Sequence, residues 1–177
     1  MSASYYIRIT LLSVFLILAQ VFVFDLIDIE GYGKLMAYPL IIMILPIETP
    51  KSVVMLLGFA VGFLIDFLLG TGGLHAAALT AMAYLRGYWI SILLSITNNE
   101  KKEIETMQQL GLRNFIIYVF LMILTQQTAF YFIERFSFTN FIYTLERVVS
   151  GTLVSFLTIC LITLLFIPIE NKRRTMI

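Results

Sequence analysis

Charged residues divide this chain into six apolar runs, at 9–24, 32–47, 52–69, 74–96, 114–133 and 148–169. A helix that crosses a bilayer needs about 20 mostly apolar residues, with a range of roughly 17 to 25. The last two runs fit that length between their flanking charges. The pattern predicts an all-α polytopic membrane protein with about six transmembrane helices. We expect a single integral-membrane domain over residues 1–177.

The second run is the least regular of the six. Only 13 residues separate Lys34 from Glu48, and two of them are Pro39 and Pro46. Proline removes a main-chain donor and interrupts a helix. We therefore expect a bent or thin span here, with a re-entrant segment as the alternative. The first run lacks a small-x-small cleavage site, which favours an uncleaved first helix over an export signal.

Lysine and arginine are distributed unevenly between the two sides of a six-span chain. With the N-terminus in the cytoplasm, eight of them lie inside: Arg8, Lys51, Lys101, Lys102, Arg113, Lys172, Arg173 and Arg174. Three lie outside: Lys34, Arg135 and Arg147. Cytoplasmic loops carry the excess of basic residues, so both termini are predicted to be cytoplasmic. A re-entrant second run would place the basic tail outside, which argues for six spans.

Two connections are longer than the others. The inner one, 97–113, opens with a capping box and has apolar residues at helical spacing: Thr97, Glu100, Ile104, Met107 and Leu110. It predicts a short amphipathic helix on the membrane surface, with a solvated connector as the alternative. The outer one carries four aromatic residues: Phe136, Phe138, Phe141 and Tyr143. Interfacial anchoring is the favoured interpretation there, ahead of partner binding.

The composition agrees with a bilayer environment. Apolar residues make up 60% of the 177 and charged residues 13%, where a soluble domain carries about 25% charged residues. The net charge of +1 offers no basic surface for nucleic acid. Cys160 and His75 are the single cysteine and histidine. They leave no disulfide framework and no cysteine or multi-histidine metal site within one chain, and we expect no cofactor.

The third run contains a stripe of small residues around one carboxylate. Gly58, Gly62, Asp66 and Gly70 follow one another at intervals of four, so they lie on one slowly winding face of a helix. In lipid, small residues at this spacing let another helix backbone approach closely. A carboxylate at membrane depth is costly unless it has a partner or a function. The stripe therefore predicts helix–helix contact around one polar point.

The fourth run offers a surface that matches this stripe. Its small residues recur at intervals of three and four: Ala76, Thr80, Ala83 and Gly87. Packing within the chain is the simpler interpretation, and a free half of the stripe that binds a partner's helix is the sharper hypothesis. The polar residues of the fifth run, Thr125, Gln126, Gln127 and Thr128, are expected to join helices in the same way.

His75 and Arg86 are the other polar candidates near the stripe. A tight turn, Gly70-Thr71-Gly72-Gly73, could bring the His75 side chain to Asp66 as an ion pair or a neutral hydrogen bond. A structural role is favoured over a proton relay. Arg86 lies too far along the helix to reach Asp66, and we expect its long side chain to extend to the cytoplasmic headgroups.

Catalytic patterns are incomplete in this sequence. Aspartyl intramembrane proteases need two carboxylates, and Asp66 is the one carboxylate inside an apolar run. The segment 58–66 faintly resembles a catalytic segment of lipoprotein signal peptidases, but the second Asp of that family is missing. Ser150-Gly151 lacks the first glycine of a rhomboid Gly-x-Ser-Gly, since Val148 stands there. We expect no enzymatic activity.

The motif resembles a known family, the rod shape-determining membrane protein MreD of bacteria. The likeness rests on Gly58-Phe59-x-x-Gly62-x-x-x-Asp66-x-x-x-Gly70, then Gly73-Leu74-His75-Ala76, then Ala83-Tyr84-Leu85. It implies a non-enzymatic scaffold of the cell-wall elongation machinery in the bacterial plasma (inner) membrane. The implied partners are an MreC-like membrane protein and, with it, MreB, RodA and a penicillin-binding transpeptidase.

The same family is distantly similar to the six-helix substrate-binding components of energy-coupling-factor transporters. That similarity supplies the alternative function, a small-ligand-binding membrane component of a vitamin transporter. The scaffold is favoured because the spans contain few polar side chains. The residues expected to serve helix packing or partner binding are Gly58, Gly62, Asp66, Gly70, His75, Ala76, Thr80, Ala83 and Arg86.

Overall fold

The computed structural model describes residues 3–26, 33–97, 106, 111–135 and 141–166. Of these residues 84% are helical, and none of them lies in a strand. The helices are α1 (Ala3–Ala19, continued by a π-helical turn, Gln20–Phe24), α2 (Leu40–Met43), α3 (Lys51–Leu69), α4 (Leu74–Thr97), α5 (Leu112–Arg135) and α6 (Phe141–Phe166). The prediction of an all-α polytopic membrane protein is confirmed.

Among the described residues, four helices, α3 to α6, are long and apolar enough to cross a membrane, and α1 contributes a shorter apolar stretch, Ile9–Phe24. Each of α3, α4 and α5 packs against the next helix in the chain. The observed α3, α4 and α5 begin and end within two residues of the predicted runs. Helix α6 begins earlier than predicted, at Phe141. Its first turns can include Arg147 because that guanidinium pairs with Glu134 on α5 at 2.8 Å.

The second apolar run does not form a transmembrane helix, so that part of the six-helix prediction is wrong. Residues 33–37 are extended, α2 is a single turn that follows Pro39, and turns continue to Pro50. The two prolines predicted an interruption, and the chain is interrupted there. We call residues 34–46 the crossing segment.

The crossing segment nevertheless traverses the bundle. The Lys34 main chain bonds to Tyr131 near the end of α5, and the Met43 carbonyl bonds to Tyr118 near its start. Those tyrosines lie 13 residues apart, which is roughly 20 Å along a helix. Residues 35–44 are all buried. Irregular main chain is tolerated at membrane depth only where protein covers it in this way.

Two ends of the bundle can be named from these contacts. The Asp66 end holds the α3–α4 turn, the end of α5, the start of α6 and the start of the crossing segment. The Arg86 end holds the finish of the crossing segment and the start of α3. Because Gln20 of α1 bonds to Leu35 at the Asp66 end, α1 starts at the Arg86 end, where α6 also finishes. The described chain thus begins and ends on one side, and the cytoplasmic assignment of that side stays a prediction.

Three features expected from the sequence lie outside the described residues. They are the amphipathic helix around Ile104, Met107 and Leu110, the aromatic pair Phe136 and Phe138, and the basic tail 172–174.

Candidate functional site

Gly58 and Gly62 of α3 allow the main chain of α4 to pack closely against α3. A Cβ atom at Gly62 would lie 2.6 Å from the Ala76 nitrogen and 2.6 Å from the His75 carbonyl oxygen. At Gly58 it would lie 3.2 Å from the Ala83 Cβ. Both glycines therefore face α4, and the helical part of the stripe has no free half for a partner's helix. The matching small residues, Ala76 and Ala83, are 3% and 1% exposed.

Gly70 and Thr80 differ in role from these packed residues. Gly70 has φ 69° and ends α3, and its N–H donates to the Asp66 carbonyl at 2.8 Å. A Cβ there would meet no atom within 4 Å, so Gly70 is needed for the left-handed turn rather than for close packing. Thr80 is half-buried, and its hydroxyl donates to the Ala76 carbonyl at 2.7 Å.

Asp66 caps the start of α4. One carboxylate oxygen accepts the His75 N–H at 3.0 Å and the other accepts the Ala76 N–H at 2.8 Å. The Thr71 hydroxyl donates to the first oxygen as well. A helix start presents unpaired N–H groups and the positive end of the helix dipole. The expected bond between the Asp66 and His75 side chains is wrong, because the carboxylate binds main-chain N–H groups instead.

The His75 side chain points to the crossing segment. Its Nδ1 lies 2.8 Å from the Tyr38 hydroxyl, which also accepts from the Gln126 amide at 2.7 Å. The Gln126 amide lies 3.1 Å from the Met36 sulfur. The imidazole packs on Phe130 with ring centroids 4.9 Å apart. All of these side chains are at most 1% exposed.

One glutamine of α1 pairs with the extended part of the crossing segment. The Gln20 amide donates to the Leu35 carbonyl at 3.0 Å and accepts from the Ala37 N–H at 3.0 Å. Gln20 is 1% exposed and begins the π-helical turn. Its side chain thus satisfies a donor and an acceptor that a regular helix would have satisfied internally.

Side chains of α5 and α6 form hydrogen bonds with further main-chain groups of the same segment. Ser155 accepts from the Met36 N–H at 2.9 Å, and Tyr131 accepts from the Lys34 N–H at 2.6 Å. Gln127 donates to the Lys34 carbonyl at 3.2 Å and to Ser155 at 2.9 Å. The extended main chain is therefore held from three helices at once.

Arg86 holds the finish of the crossing segment. Its guanidinium donates to the Leu45 and Pro46 carbonyls, the latter at 3.1 Å, and to the Tyr118 hydroxyl at 3.2 Å. Only 3% of Arg86 is exposed, so the prediction that it extends to the headgroups is wrong. The Leu45 carbonyl has no main-chain donor after the end of α2, and the Pro46 carbonyl also accepts the Thr49 N–H at 3.2 Å; a buried cation is favourable at such carbonyls.

The two buried charged side chains at this site are thus each stabilised by main-chain groups. Asp66 accepts N–H groups at the start of α4, and Arg86 donates to the carbonyls that follow α2. Among the described residues, no group of three or more His, Cys, Asp or Glu side chains could hold a metal ion. An open groove lies at the Asp66 end, lined by Arg135, Phe141, Ile142, Tyr143 and Glu146.

The sequence interpretation missed several residues that hold the crossing segment: Gln20, Tyr38, Tyr118, Tyr131 and Ser155. A signal was available for Gln20, which is the one amide within an otherwise apolar first run. Gln126 and Gln127 were expected to join helices, and they bond mainly to the crossing segment.

Comparisons with protein-family models, with curated proteins and with solved structures returned no match. The likeness to MreD and to transporter substrate-binding components therefore stays a prediction that rests on the motif residues.

Proposed function

We propose that this chain is a non-enzymatic, multi-pass scaffold of the bacterial cell-wall elongation machinery in the plasma membrane. In this role it binds an MreC-like membrane protein and helps to position peptidoglycan synthases, including RodA and its transpeptidase partner. The motif residues that resemble the MreD family support the proposal, because they build one closely packed hairpin of α3 and α4.

The proposal rests on the hydrogen bonds that Asp66 makes. Both of its oxygens accept main-chain N–H groups, and the Thr71 hydroxyl adds a third bond. General acid or base catalysis needs a carboxyl group within reach of a substrate proton. An Asp66 that caps α4 from a buried position, 5% exposed, instead favours an architectural role for the motif.

A partner's helix would meet the outer face of α3. This helix is the least buried of the four long ones, with 28% of its apolar stretch buried against 39–44% for the others. Phe59 and Phe63 stack on that face with centroids 5.9 Å apart. Because Gly58 and Gly62 face α4, the contact expected from the sequence moves to this aromatic face.

Cross-linking in intact membranes tests that contact. Cysteine at Phe63 should cross-link to the transmembrane helix of the MreC-like protein, whereas cysteine at Leu161, on the exposed face of α6, should not. Each variant also carries Cys160→Ser, which removes the native thiol. Equal cross-linking from both positions would place the partner elsewhere or show random encounter.

Purification in a mild detergent tests the function itself. We expect the MreC-like protein to co-elute with the full chain, and depletion of the chain to turn rod-shaped cells round. Absence of the MreC-like protein together with unchanged cell shape would refute the scaffold.

One observation favours the second candidate, a small-ligand-binding component of a vitamin transporter. Buried polar side chains from α1, α4, α5, α6 and the crossing segment converge at the Asp66 end. Co-elution of a transporter ATPase, with uptake of a vitamin that fails when the gene is deleted, would establish this function in place of the scaffold.

A further inference from the structure

The polar network at the Asp66 end has more hydrogen-bonding capacity than the described residues satisfy. Four of its buried side-chain atoms have no partner among those residues: His75 Nε2, Gln126 Oε1, Gln127 Oε1 and Thr152 Oγ1. They belong to α4, α5 and α6, and all four side chains are at most 2% exposed. Buried polar atoms in folded proteins are nearly always paired with protein or with ordered water.

These atoms belong to one connected region. His75, Tyr38 and Gln126 form a continuous chain with contacts of 2.8 and 2.7 Å. Gln127 joins it through Ser155, which accepts from the Met36 N–H. Thr152 precedes Ser155 by three residues on α6, so their side chains lie on the same face of that helix. Four of the six buried side-chain atoms that lack a partner among the described residues therefore lie where the crossing segment meets α4, α5 and α6; the other two are Arg147 Nε and Thr163 Oγ1.

The chemistry of the network defines what can satisfy it. The Gln126 amide donates to Tyr38, which leaves the Gln126 oxygen as an unused acceptor. The Tyr38 hydroxyl then either donates to His75 Nδ1, with the His75 proton on Nε2, or accepts from Nδ1–H and donates to the Met36 sulfur at 3.6 Å, with Nε2 as an acceptor. If the amide is turned over, donor and acceptor exchange places. Across these states the bound molecule must be able to act both as a donor and as an acceptor.

The molecule that binds this network must also be uncharged. Asp66, the carboxylate near His75, already accepts three hydrogen bonds, and Lys34 at the rim pairs with Asp25 at 3.5 Å. A charged molecule would therefore be buried without a counter-charge, which is strongly unfavourable. Water donates, accepts and carries no charge. Proteins hold about one buried water per 27 residues at sites of this kind.

We propose that this network is a binding site for ordered water. The water molecules bridge the crossing segment to α4, α5 and α6 and complete the hydrogen bonds of His75, both glutamines and Thr152. The Asp66 end of the bundle core is hydrated, whereas the tyrosine and arginine contacts at the Arg86 end are direct.

Radiolytic footprinting of the full chain in nanodiscs tests the proposal, because radicals formed from bound water oxidise adjacent side chains. The chain supplies a matched pair of probes. Met36 and Tyr38 lie in the network, and Met43 and Tyr118 lie at the Arg86 end; all four are 0% exposed. We expect several-fold faster oxidation of Met36 and Tyr38 than of Met43 and Tyr118. Equal rates, whether low or high, would overturn the proposal.

A second measurement uses Thr152→Val, which replaces one hydroxyl by a methyl group of similar size. If water bonds to Thr152, the variant loses that bond, and its Tm falls by a few degrees or stays level. If the hydroxyl is buried without a partner, removing it raises Tm. A clear rise in Tm would therefore contradict hydration at this position even where the variant folds normally.

Discussion

The main chain crosses the same apolar layer in the α3–α4 hairpin and in the crossing segment, but its hydrogen bonds are satisfied in different ways. In the hairpin, helical hydrogen bonds satisfy the main chain, and Gly58 and Gly62 bring the two backbones into contact. On both sides of α2 in the crossing segment, main-chain groups bond to side chains of other elements, such as Gln20 and Arg86. The hairpin thus depends on having no side chain at Gly58 and Gly62, whereas the crossing segment depends on polar side chains that other helices supply.

The difference indicates opposite sensitivities to mutation. The hairpin should tolerate loss of polar groups on its outer face but not added volume between its helices. The crossing segment should be sensitive to the loss of polar side chains that are distant in sequence. Substitutions on each side can break or sharpen this contrast.

The largest effect is expected for Gly62→Leu. Its side chain would occupy the space of the Ala76 main chain, which cannot move without separating α3 from α4. We expect loss of the folded monomer in gel filtration after detergent extraction. Ala60→Leu, on the exposed face of the same helix, is the control and should extract normally. Normal extraction of both variants would show that the hairpin is not packed through Gly62.

A smaller but clear effect is expected for Arg86→Leu. It leaves the half-buried Leu45 carbonyl without its donor, at about 1–3 kcal/mol for an unsatisfied group, while the Pro46 carbonyl keeps the Thr49 N–H. Thermal unfolding in detergent should show a lower Tm, and a protease should cut sooner near Pro46. Arg113→Leu removes an exposed arginine and should leave Tm nearly unchanged. Equal Tm values for the two variants would argue against the Arg86 contacts.

The smallest of the three effects is expected for Asp66→Asn. Asparagine keeps one oxygen acceptor, but its amide nitrogen faces a main-chain N–H, so one capping bond is lost. Loss of a helix cap costs about 0.5–2 kcal/mol, and we expect a modest drop in Tm with partial function. Asp66→Leu removes both bonds and should be worse. An Asn variant that assembles normally with its partner but has no function would instead indicate a titrating role.

The hairpin could be predicted from sequence because its signals are local. Glycines at intervals of four, small residues at matching positions on the next run and a turn rich in glycine all lie between residues 58 and 87. The long helices followed equally from runs of apolar residues between charges. What the local pattern did not give was the target of Asp66, which depends on where the turn places the first N–H groups of α4.

The crossing segment could not be predicted beyond its interruption. Pro39, Pro46 and the short distance between Lys34 and Glu48 indicated that a regular span was unsuitable. Its partners, however, lie far away in the sequence: Met36 bonds to Ser155, 119 residues on, and Leu45 bonds to Arg86, 41 residues on. Such pairings depend on the packed fold, so Arg86 was wrongly expected to reach the headgroups.

The distant partners of the crossing segment also bear on how the protein is made. Arg86, Gln127 and Ser155 are all translated after residues 34–46, and until they arrive the extended main chain has few groups to bond in lipid. We therefore expect membrane insertion to run out of sequence order. We expect the crossing segment to reach its final position last, after α6 has been synthesised.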